Sequence, residues 1–157
     1  MVMQWKTEDM NMYVQSKEYV DTIVIPLLPV SFNTDDKQLV SMAFQHELLT
    51  VFTNEIEKQF KGRIFLSPSY TYSPSTDIEH EMNRLNLWCE EAETQGFKHI
   101  LLFTMDPKWK KQERKLEGSL IWLPAGQVDT LHSEEAQKYV QSQINQVTEL
   151  IMAYWQE

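Results

Sequence analysis

Cys89 is the one thiol in this 157-residue chain, and a nucleophilic cysteine needs positive charge beside it to lower its pKa. Glu90 and Glu91 follow it instead. Cys89 also falls on the apolar stripe Ile78, Met82, Leu85, Cys89 and Ala92, so an inert core thiol is expected. A lone cysteine excludes an internal disulfide and suits a reducing compartment. His80-Glu81 opens like a zinc-protease helix, but that chemistry needs a second histidine four residues on, where Arg84 stands. No other pair among His46, His80, His99 and His132 has ligand spacing, so no metal and no cofactor is expected. The four glycines, at 62, 96, 118 and 126, form neither a phosphate-cradling loop nor a Gly-x-Ser-x-Gly elbow.

Two groups of residues keep a functional reading. Asn33, Asp35, Ser69, Tyr70 and Asp106 would gather at the carboxyl edge of a parallel sheet, where open α/β folds bind ligands. Their hydroxyls, carboxylates and aromatic face suit a small polar or cationic molecule. Local roles compete with that reading: Asp35 is placed to cap a helix and Asp106-Pro107 to make a turn. The second group is Lys108, Trp109, Lys110, Lys111 and Arg114, within a run holding five of the fourteen basic residues. It could dock an acidic partner or nucleic acid, or form a solvated hairpin loop with Trp109 folded onto the core.

The elements that must position these residues are organised around Thr22-Ile-Val-Ile-Pro-Leu-Leu-Pro-Val-Ser-Phe32, too short to span a bilayer and apolar enough for a buried strand. Its prolines predict that pairing ends near Pro26 or Pro29, with Leu27 to Phe32 leading out over the sheet edge. Before it, Thr7 is expected to cap a helix to about Val20, with Met10, Tyr13, Val14 and Tyr19 inward. After it, Asp35 and Gln38 form a capping box for a helix from 36 to about 60. Val40, Phe44, Leu48, Val51, Phe52, Ile56 and Phe60 make its apolar stripe. A short strand at 63–67, a loop at 67–75, a helix from the Thr76/Glu79 box to Gly96 and a strand at 99–105 follow. Ser119–Leu123 is a fourth strand ended by Pro124 and Gly126, and Ser133 caps a last helix. The 107–117 connection has no helical stripe, so the fourth strand is expected to return antiparallel. The prediction is a single α/β domain over residues 1–157. It has a small, mostly parallel sheet of about four strands in order 2-1-3-4, with helices on both faces.

Trp5-Lys6, Glu8-Asp9 and Lys17-Glu-Tyr-Val-Asp-Thr-Ile-Val-Ile-Pro-Leu-Leu-Pro-Val30 resemble a Bacillus-type family classed as a domain of unknown function. The resemblance implies no catalytic residue. More distantly, the apolar strand, long helix and short second strand are similar to TolB amino-terminal and CsgG-like α/β domains.

Composition bounds the function. Hydrophobic residues at 42% with 24% charged residues indicate a chain that can build a core rather than stay disordered. A net charge of -9 repels phosphate backbones and anionic membranes, so nucleic acid is an unlikely partner. No basic-then-apolar leader opens the chain, and a cytoplasmic location is expected. The leading expectation is a non-catalytic binding or assembly module for a protein partner or small ligand. The alternative is a small enzyme acting on a polar metabolite at the strand ends, and the oligomeric state is open.

Overall fold

The computed structural model describes residues 3–124 and 131–156. Its centre is β1 (Thr22–Pro29), whose first half pairs on one side with β2 (Ile64–Leu66) and whose last residues pair on that side with β3 (Tyr70–Tyr72). On the other side lies β4 (His99–Thr104), followed by β5 (Ser119–Trp122). All four pairings are parallel. The order β2-β1-β4-β5 repeats the order expected for four strands, and β3 is a fifth strand beside β1.

The prolines of β1 fit because of where their missing N–H groups point. Thr22 N donates to Arg63 O, Ser67 N to Val24 O, and Val30 N to Tyr72 O, so even-numbered residues of β1 bond towards β2 and β3. Pro26 therefore faces the break between those two strands at Ser67-Pro-Ser69. Pro29 faces the opposite side, beyond the last β4 partner, Phe103 of the Pro26 pair. Neither proline leaves a ladder position unfilled. The strand ends at Pro29, the later of the two expected limits, with Leu27, Leu28 and Pro29 paired to β3 rather than leading out over the sheet edge.

Two expectations from the sequence need correction. The last strand, β5, is parallel to β4, not antiparallel. Between them the chain forms a short helix, α4 (Pro107–Lys110), and a 3-10 turn at Glu113–Lys115. The stretch from Met105 to Gly118 meets the ~10–12 residues that a crossover requires. It shows no helical stripe because, past Met105 at the end of β4, it buries just Trp109 and Leu116. The second correction is β3, which lies within the segment read as a loop. Turn formers surround it, but Tyr70 and Tyr72 point into the core and Thr71 points out.

Alternation along the strands feeds two core layers. Ile25, Leu27, Phe65, Tyr70, Tyr72, Ile100, Leu102 and Leu120 pack on α3 (Ile78–Thr94), with Trp109 among them and the half-buried Met10 and Tyr13 of α1 (Thr7–Ser16) against them. Val24, Leu28, Ile64, Leu66, Leu101, Phe103 and Ile121 face α2 (Asp36–Gln59) and α5 (Glu134–Trp155). Helices thus cover both faces. The crossover from β1 passes over one face through α2, and the crossover from β4 passes over the other through Trp109.

Helix caps show the local chemistry at work. Asp35 accepts from Gln38 N at 2.8 Å and Ser133 from Ala136 N at 3.0 Å, both as expected. For α3 the cap is Asp77, accepting from Glu79 N, rather than Thr76. Thr7 is already helical, preceded by Lys6 with no side-chain cap, and Val14 and Tyr19 are exposed rather than inward. Gly62 and Gly96 both take positive φ, 85° and 102°, where a helix must turn away from its axis. Gly126 lies outside the described residues.

Candidate functional site

At the carboxyl edge, the five polar candidates do not converge on one cavity. Asn33 is exposed, its backbone N donating to Ser31 Oγ at 3.1 Å, while Asp35 is committed to the α2 cap. Ser69 precedes β3, and Tyr70 sits at the register of Leu27, inside the sheet rather than at its end. Its ring turns to α3, where the hydroxyl donates to Glu81 Oε1 at 2.6 Å and Arg84 lies 4.6 Å over its face. Burial, and then the bond to Glu81, pushes the Tyr70 hydroxyl far above its ordinary pKa. Asp106 accepts from Tyr72 at 2.6 Å and caps α4 by accepting from Lys108 N at 3.0 Å. Tyr72 is likewise pushed up, by burial first and the Asp106 bond second. These carboxylates fasten elements together.

What the edge does contain is apolar. A groove of about 470 Å³ runs between the end of β1 and the first half of α2, lined by Leu28, Val30, Phe32, Leu39, Met42 and Ala43 among others. Phe32 is 88% exposed and Val40, on the outer side of α2, 70%.

The basic run is only partly free. Trp109 is fully buried, with its ring edge-on to Tyr72 at 5.2 Å and to Tyr70 at 6.4 Å, so it cannot meet a partner. Lys108 Nζ donates to Pro74 O at 3.2 Å, and Lys110 Nζ lies 4.4 Å above Trp122. Lys111 and Arg114 remain exposed. Cys89 is fully buried, and burial, with Glu117 nearby, pushes its thiol up to about 12. Among the described residues, no group of three or more His, Cys, Asp or Glu side chains is placed to hold a metal ion. No described helix is long and apolar enough to cross a membrane.

A larger cavity lies elsewhere, and sequence reasoning missed it. Between α1 and α3, over Ile23 and Ile25 of β1 and Phe65 of β2, the surface opens into a groove of about 520 Å³. Trp5, Tyr13, Phe65, Trp88 and Phe97 line it, with Lys17, Glu91 and Gln95 around them. Tyr13 stacks on Phe97 at 5.8 Å and meets Phe65 edge-on at 5.3 Å, so the aromatic wall is preassembled. Trp5 is 66% exposed at one rim. α1 covers this face incompletely: Met10 and Tyr13 pack against the core layer, yet none of the ten residues of α1 is buried. The groove's sequence signal is the short helix that carries Tyr13 and follows Trp5, but no local pattern pairs these with Trp88 and Phe97.

Comparison with known proteins agrees with the resemblance read from Lys17–Val30. The chain is similar to a protein of Bacillus subtilis (strain 168) described as "Uncharacterized protein YpiF", with 29% identity over 153 residues covering 98% of each chain. No solved structure matches, and the more distant likeness to TolB amino-terminal and CsgG-like domains finds no support. A family model described as "Protein of unknown function (DUF2487)" matches residues 11–155. With nearly its whole length matched, the chain belongs to the DUF2487 family.

Proposed function

We propose that this protein is a non-catalytic binding module that captures an apolar segment of a protein partner in the groove between α1 and α3. The observation that carries the reading is the aromatic wall itself: five rings line a volume of about 520 Å³. That volume lies within the ~300–1,000 Å³ of ordinary binding pockets. At the carboxyl edge, by contrast, Asp35 and Asp106 are consumed as caps, which weighs against the small-enzyme alternative. The acidic chain favours a partner segment with basic flanks, and a lone buried thiol suits work in the reducing cytoplasm. Lys111 and Arg114, exposed and basic, would meet acidic residues elsewhere on such a partner.

A defined probe tests this: a basic amphipathic peptide carrying Trp and Phe, titrated into isotopically labelled protein. The expected shifts map to Tyr13, Phe65, Trp88 and Phe97, and Trp88→Ala combined with Trp5→Ala weakens binding about tenfold or more. Both tryptophans reach solvent, so the fold should survive their removal. Shifts confined to Asn33, Ser69 and Asp106, or affinity indifferent to the double variant, would overturn the reading.

A further inference from the structure

The first turns of α2 form a self-complementary surface. Lys37, Val40, Phe44 and Glu47 are spaced three, four and three residues apart, which aligns them on one side of a helix. None of the four is fully buried: the buried residues of α2 begin at Leu48 and run through Leu49, Phe52, Thr53, Ile56 and Glu57. Val40 is 70% exposed, Lys37 and Glu47 are exposed, and Phe44 is half-buried, packed in part against the core layer beneath α2. α5 is fastened to the far end of α2, through Thr148 to Gln59 at 2.8 Å and Trp155 edge-on to Phe60 at 4.8 Å. Among the described residues, neither Lys37 nor Glu47 takes an ion-pair partner within the chain.

We propose that this stripe pairs with the same stripe of a second copy, the two α2 helices crossing antiparallel about a two-fold axis level with Met42, whose own side chain faces the groove beside β1. The symmetry selects this occupant. Lys37 and Glu47 lie five residues either side of Met42, and Val40 and Phe44 two residues either side. An antiparallel pair therefore sets each Lys37 against the partner's Glu47 and each Val40 against the partner's Phe44. Every contact occurs twice, as an isologous interface demands. A stripe this narrow covers less than the ~800 Å² per partner of a standard interface, so the dimer is concentration-dependent rather than obligate. The site is distinct from the aromatic groove and does not rest on it.

Sedimentation velocity over a wide concentration range is the test. Wild-type protein should shift from monomer towards dimer. Lys37→Glu and Glu47→Lys each place like charges together twice and should each weaken association about tenfold. The double variant Lys37→Glu/Glu47→Lys restores opposite charges and should recover it. Val40→Asp should leave a monomer with unchanged circular dichroism. A wild type that stays monomeric at every concentration overturns the proposal. So does a dimer indifferent to both single reversals, or one that the double variant fails to recover.

Discussion

Two carboxylates titrate in opposite senses, and their surroundings explain why. Asp21 accepts from Arg63 Nε at 2.9 Å and Nη2 at 3.1 Å. Partial burial works against its charge, but those bonds hold its carboxyl below the ordinary value. Its contribution is present above the ordinary aspartate range and is lost as pH falls through the lowered value. Glu57 is almost wholly buried, and burial pushes its carboxyl up despite the bond it accepts from Met3 N. Its Oε2 has no hydrogen-bond partner among the described residues. A raised carboxyl weakens the folded state as pH climbs from the ordinary glutamate value through the raised one. Glu57→Gln keeps an acceptor for Met3 N and removes the buried charge. It should raise the thermal midpoint at neutral pH and leave it unchanged in acid, where Glu57 is protonated in both states. An equal shift at both pH values would mean that charge is not the cause. Cys89 makes a simpler case. With its thiol at about 12 and no exposure, it should label slowly in folded protein and rapidly in denaturant. Fast labelling at neutral pH would place it in an open site.

The connection between β4 and β5 depends on one side chain. Trp109 closes the crossover against Tyr70 and Tyr72, so Trp109→Ala should cost ~3–5 kcal/mol, the range for deleting a buried tryptophan. Reversing Lys110, Lys111 and Arg114 to glutamate should cost no more than ~1 kcal/mol, chiefly the stacking of Lys110 on Trp122. Urea denaturation of the two variants separates these roles, and equal losses would mean the basic run is structural too. This connection also marks where the sequence stopped being legible. Long elements declared themselves: α2 and α5 through their stripes and caps, β1 and β4 through their apolar runs. Trp109 and Leu116 are too few to set a period, so nothing local separates a parallel from an antiparallel return. The residues of the carboxyl edge were legible in position but not in orientation. Nothing local says that Tyr70 turns to Glu81, or that Asp106 serves Tyr72. The aromatic groove was illegible for the same reason, since it is assembled from four separate elements.

Across the whole molecule, burial is unevenly shared. β1 and β4 lie at the centre of the sheet, each flanked by strands on both sides and covered above and below. α1 has no buried residue, and the first three turns of α2 contribute none. At ~1.5 Å per residue, the 24 residues of α2 span ~36 Å, while the eight residues of β1 span ~27 Å, so the helix overhangs the sheet. Segments with few buried contacts open with small free energies, whereas central strands exchange only when the whole domain unfolds. Amide exchange should therefore be slowest in β1, β4 and the second half of α2, and fastest in α1 and residues 36–46. The two binding surfaces proposed above then give separate signatures. Peptide in the aromatic groove should slow exchange in α1 alone, because it supplies the apolar cover that α1 lacks. Raising protein concentration should slow residues 36–46 alone. Protection that rises in both segments together under either condition would mean that they open as one unit, and that neither surface acts independently.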